Sequence, residues 1–221
     1  MTEPKGRSGS RRRFLNLTGA LAVFVALGPG QAKATADCRL AVLGDSLAAG
    51  YGVDFADAFP AQLERALERE GVGCAVLNAG VSGDTSAGGL SRIDWVLGDA
   101  PTHILIELGG NDALRALPVE TLESNLAGII ETAQAAGVEV KLAGMLAPPN
   151  LGARYTEAFA AVYPRLAARY DVPLYPFFLE GAIEAPALML PDGIHPNAQG
   201  VAVIVERILP HVVAWLNGGG S

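Results

Sequence analysis

The 221 residues suffice for one domain or two small ones, and with half of them hydrophobic and 18% charged they exclude a disordered, collagen-like or highly charged polar chain. Six of the 16 basic residues but only one of the 23 acids fall in the first 36 positions, so the rest of the chain carries a formal charge of −12. A body this acidic repels a phosphate backbone, which excludes non-specific nucleic-acid binding, and two cysteines are too few for a disulfide scaffold or a zinc cluster.

The chain opens with Arg11, Arg12 and Arg13, then an apolar run from Leu17 to Leu27 that is too short to span a bilayer. Two A-x-A sites follow, ending at Ala34 and Ala36. Basic, apolar, then small residues is the order of a cleavable signal peptide, here residues 1–36. Arg11-Arg12-Arg13-Phe14-Leu15 also resembles a twin-arginine signal; an ordinary secretory signal is the alternative. Asp37 before Cys38 does not suit a lipid anchor. The expectation is a periplasmic or secreted protein, released from the membrane after cleavage, with residues 37–221 as a single domain and a monomer as the default.

Apolar runs then alternate with helical patterns. Strands are expected at Leu40–Leu43, Cys74–Leu77, His103–Ile106, Val138–Ala143 and, more weakly, Val172–Tyr175. Between them, Phe59, Leu63, Ala66 and Leu67 recur at helical spacing, and Thr121–Ala136, Tyr155–Tyr170 and Ala198–Leu216 read as further helices. Near-continuous apolar strands alternating with helices predict an α/β fold with a parallel sheet covered on both faces. Cys38 and Cys74 each open a strand. If those strands are parallel neighbours, a disulfide would close 36 residues; two buried free thiols are the alternative.

In such sheets ligands bind outside the carboxyl ends of the strands. The loops there are polar and glycine-rich: Gly44-Asp45-Ser46-Leu47, Asn78–Thr85, Gly109-Gly110-Asn111-Asp112 and Asp192-Gly193-Ile194-His195-Pro196-Asn197. Each alone reads as a turn or a helix cap. Together they hold the parts of an acyl-transfer site. Ser46 is a hydroxyl that becomes nucleophilic if a base takes its proton. His195 can be that base, with Asp192 to fix its tautomer. The Ser46 and Gly83 N–H groups and the Asn111 amide are candidate oxyanion donors, Gly83 because no side chain blocks the oxygen. Asp45 and Asp112 read as braces for their turns. Glu107 is a buried-looking acid of open role, and His103 and His211 read as structural. No metal is expected, since no two histidines stand at ligand spacing, and no nucleotide either, since no G-x-G-x-x-G follows the first strand.

These four blocks, in this order, resemble those of the SGNH hydrolases, or GDSL esterases. Gly83-Asp84-Thr85-Ser86, Glu107–Asp112 and Pro173–Phe178 are similar to the family's thioesterase, lysophospholipase and arylesterase subgroup. The resemblance implies a three-layer α/β/α sandwich on a flavodoxin-like, five-stranded parallel sheet, with no cofactor and with a small acyl ester, thioester or lysophospholipid as substrate. It implies Ser46, Asp192 and His195 as the triad, and Ser46, Gly83 and Asn111 as the oxyanion hole. It also implies an apolar acyl groove, for which Ala113–Pro118 and Met145–Pro149 are the expected walls, with Leu114, Leu117 and Leu146 as lining. Two other readings stand beside this one: a carbohydrate acetylesterase, and a catalytically idle glycan- or lipid-binding module on the same scaffold.

Overall fold

The structure, a computed structural model, describes residues 1–3 and 38–219. The segment read as an export signal lies almost wholly outside the described residues. Five parallel strands form one sheet in the order β2-β1-β3-β4-β5: β1 Cys38–Gly44, β2 Cys74–Gly80, β3 His103–Glu107, β4 Glu139–Ala143 and β5 Leu174–Tyr175. The central strands are apolar on both faces, and Leu40 to Leu43 and Ile104 to Ile106 are buried throughout. β2, at one edge, is more exposed. β5, at the other, is only two residues long. Pro173 before it has no N–H for the ladder and contributes only its carbonyl, to the Leu142 N–H at 2.9 Å.

Helices cover both faces. α1 (Ser46–Ala49) follows β1 and α2 (Phe59–Arg69) precedes β2. α3 (Ser86–Ser91) and α4 (Ile93–Gly98) lead to β3, and α5 (Gly110–Leu114) and α6 (Val119–Ala135) lead from it to β4. α7 (Ala153–Ala160) and α8 (Val162–Tyr170) precede β5, and α9 (Ala198–Leu216) ends the fold. α2 packs on α9; α6 packs on α3, α4, α7 and α8. The result is the expected three-layer sandwich. α9 has the length and hydropathy of a membrane span. Val201, Ile204, Val205, Ile208, Val212 and Trp215 nevertheless form a buried stripe, as expected of a core helix.

Two helices differ from the sequence expectation. The segment Tyr155–Tyr170 is not one helix but α7 and α8, broken at Ala161. Pro164 is the physical reason: it has no N–H for the Ala160 carbonyl, and its ring would clash with that carbonyl in a continuous helix. α6 begins at Val119 rather than Thr121, because Pro118 supplies the cap position and Val119 is buried. Cys38 and Cys74 lie directly opposite in the β1–β2 register and are joined by a disulfide. This closes the question in favour of the bridge.

Candidate active site

The strand order changes direction between β1 and β3, and the crevice outside their carboxyl ends is where a parallel sheet offers a ligand site. Ser46 stands there as the first residue of α1. Its Oγ is 2.8 Å from His195 Nε2, and His195 Nδ1 is 2.7 Å from Asp192 Oδ2. Asp192 Oδ1 also accepts from the Ile194 and His195 N–H groups, at 2.9 and 3.0 Å, so one carboxylate shapes the loop and orients the ring. These bonds from His195 and Ile194 hold the Asp192 pKa down at about 2, so it is an anion at neutral pH. Asn197, two residues on, caps α9 through the Gln199 and Gly200 N–H groups and fixes the loop's far end.

The turn that carries Ser46 is braced from two sides. Asp45 is 2% exposed; its Oδ1 accepts from the Leu47 N–H at 3.0 Å, and its Oδ2 accepts from Asn111 Nδ2 at 2.9 Å. Burial pushes the Asp45 carboxyl above its ordinary range, against the pull of the Leu47 and Asn111 hydrogen bonds. The Asp45–Asn111 bond fixes the Asn111 amide and leaves its second N–H for another acceptor. Among the described residues, neither the Ser46 N–H nor the Gly83 N–H has a hydrogen-bond acceptor. Three donors, from the loops after β1, β2 and β3, are therefore free to meet a developing oxyanion.

Glycine at position 83 is called for by its own backbone as well. An added Cβ would meet only the Arg115 guanidinium, at 3.8 Å, so there is room for one. The constraint is the backbone, whose φ of +84° lies in the left-handed region. Asp112, expected to brace its own loop, instead ties α5 to the start of α3, accepting from the Ser86 N–H at 2.8 Å and the Ser86 hydroxyl at 2.6 Å. His103 and His211 stay outside the site. His103 packs edge-on against Trp215, and His211 against Tyr175.

The serine opens into a cavity of about 860 Å³, within the range of small-molecule sites. Leu114 and Leu146 line it, together with Met145, Pro148 and Pro149 of the expected wall. Leu117 does not line it; its carbonyl instead accepts from the Tyr155 hydroxyl at 2.8 Å. Sequence reasoning missed the opposite wall of Phe177, Leu179 and Ile183. Pro176, which ends the short β5 and carries the chain over the sheet edge, is the one local signal that could have found it. It also missed Tyr51, whose ring packs on that of His195 with centroids 4.4 Å apart. Arg92 was missed as well. It bonds the carbonyls of Gly44, the last residue of β1, and Ala79, the last but one of β2, and pairs with Asp84 beside Gly83 at 2.7 Å. Among the described residues, no group of three or more His, Cys, Asp or Glu side chains could hold a metal ion.

Residues 42–203 match the model of the GDSL-like lipase/acylhydrolase family. Esterase TesA of Pseudomonas aeruginosa is 41% identical over 199 residues, which are 90% of this chain and 96% of that protein. Thioesterase 1/protease 1/lysophospholipase L1 of Escherichia coli K12 is 42% identical over 186 residues, 84% of this chain and 88% of its own. The crystal structure of the psychrotrophic esterase EstA from Pseudoalteromonas sp., inhibited by monoethylphosphonate, superimposes with a TM-score of 0.78. It is 34% identical, and the match covers 82% of this chain and all of that one. With four motif blocks gathered at one sheet edge and this similarity over most of its length, the chain belongs to the GDSL-like lipase/acylhydrolase family.

Proposed function

We propose that the protein is an exported serine esterase that hydrolyses carboxylic esters, together with acyl thioesters or lysophospholipids, through an acyl-enzyme on Ser46. The observation that carries this reading is the unbroken hydrogen-bond relay from Asp192 through His195 to the Ser46 hydroxyl, ending at an apolar cavity. Ser46 Oγ attacks the acyl carbonyl as His195 Nε2 takes its proton. The tetrahedral oxyanion is held by the Ser46 and Gly83 N–H groups and the Asn111 amide. His195 returns the proton to the departing alcohol or thiol. It then takes one from water, whose oxygen attacks the acyl-enzyme, and gives it to Ser46 Oγ as the acyl–Oγ bond breaks and the carboxylic acid leaves. Asp192, kept ionised, offsets the imidazolium charge in both halves. The relatives named esterase and thioesterase support the substrate class, and the basic-apolar-small order of residues 1–36 supports export.

The test is hydrolysis of p-nitrophenyl esters from acetyl to palmitoyl by residues 37–221, with Ser46→Ala as the blank. The cavity walls predict that each added methylene raises kcat/KM roughly fourfold, at about 0.8 kcal/mol per buried CH2, until the cavity is full. Ser46→Ala should lower kcat by about four to six orders of magnitude with the fold intact. An acetyl-only profile would put a carbohydrate acetylesterase first. No hydrolysis above the blank at any length would put a binding module first.

A further inference from the structure

Glu107 is the last residue of β3, and its register partner is Gly44, the residue before Asp45-Ser46. Its side chain is completely buried. One carboxyl oxygen, Oε2, accepts from the Asp45 N–H at 3.3 Å. Gly44 is what lets the side chain lie so close, since a Cβ there would stand 2.5 Å from Oε2. The other oxygen, Oε1, has no partner among the described residues.

Asp45 N–H goes to Glu107, Leu47 N–H goes to the Asp45 side chain, and Ala49 N–H goes to the Asp45 carbonyl, while the Ser46 N–H has no acceptor among the described residues. A helix start normally leaves several N–H groups unclaimed. Here a glutamate from the neighbouring strand claims the one directly before Ser46 and pins the turn from the β3 side.

We propose that Glu107 is a positioning residue for Ser46: by accepting the amide of Asp45, its carboxyl fixes the turn so that the Ser46 N–H faces the substrate oxygen. Complete burial and the nearby Asp45 carboxylate push its pKa well above the ordinary carboxylate value, which favours the neutral acid. A neutral acceptor holds the amide without adding a second negative charge under a site where negative charge develops. This role rests on the Ser46 acyl-enzyme reading.

Glu107→Gln keeps an acceptor of the same shape and no charge. Its kcat should stay within about threefold of the parent. Glu107→Met keeps the volume but removes the acceptor. Its kcat should fall about 10- to 100-fold with KM unchanged, since misplacing the turn weakens the transition state but not the acyl cavity. Infrared spectra of the parent at pH 7 should show a protonated-carboxyl C=O stretch that Glu107→Gln lacks. The proposal is overturned by a folded Glu107→Met variant with parental kcat, by Glu107→Gln losing as much as Glu107→Met, or by the absence of that infrared difference. If Glu107→Met does not fold, the Gln variant and the spectrum decide. Ser46→Ala separates the two readings: full activity there rejects the acyl-enzyme route itself, whatever the Glu107 variants do.

Discussion

Asp192 shows how one side chain can be read from chemistry while its neighbours cannot. It is held by His195 and by two backbone amides, and its pKa of about 2 lies below its ordinary value of 3.8. The unfolded chain therefore binds this proton first as the pH falls, so the stabilisation is complete above about pH 4 and is lost on acidification through about pH 2. Thermal unfolding followed from pH 5 to pH 2 should show a smaller loss of Tm in Asp192→Asn than in the parent; parallel curves would remove the linkage. Ser46, His195, Asp192, Asn111 and Gly83 were singled out because acyl transfer calls for those residue types, and the structure gathers them around one cavity. Tyr51 and Arg92 could not be, since an aromatic over an imidazole and an arginine on strand-end carbonyls have no fixed spacing from the groups they serve. Leu117 illustrates the converse, an apolar residue in the expected wall that turns away from the cavity.

Among the elements, periodicity located every strand, because burial on both faces leaves an apolar run that little else produces. The errors are at helix boundaries, where one residue outweighs the pattern. Pro164 splits an amphipathic stretch whose apolar positions, Phe159, Val162 and Leu166, continue across the break. The disulfide depended on strand order: two cysteines 36 apart can pair only if β1 and β2 are neighbours in register, and they are. Its location yields a separable prediction. Both sulfurs sit at the amino ends of their strands, whereas Ser46 lies beyond the carboxyl end of β1. Replacing both cysteines by serine should cost about 3–4 kcal/mol by the chain-entropy relation. That corresponds to a fall in Tm of roughly 10 °C, with kcat unchanged. Calorimetry and ester hydrolysis on the same sample check it. A variant with intact Tm would show that the sheet alone holds that edge; a loss of kcat at unchanged secondary structure would show that the two ends are coupled.

For the whole molecule, the charge of −12 outside the first 36 residues and the apolar cavity act on the same substrate in opposite senses. The apolar cavity would favour an acyl chain, whereas a net negative surface field would oppose an anionic lipid layer. For a lysophospholipid carried in vesicles, turnover should be lower in phosphatidylglycerol than in phosphatidylcholine. The gap should narrow as salt shortens the screening length from about 10 Å at 0.1 M to about 3 Å at 1 M. A salt-independent ratio would mean that headgroup contacts, not the field, set the preference. Domain-scale architecture followed from strand and helix alternation alone, but the cavity's shape did not, because it depends on where loops lie after the sheet is built.

The bond between Ser46 and His195 joins residues 149 positions apart. His195, Asp192 and the helix that anchors their loop all follow Ser46 by more than 140 positions. On the acyl-enzyme reading proposed above, a nascent chain therefore carries its serine long before the groups that would activate it, and no partial product of translation would turn over an ester.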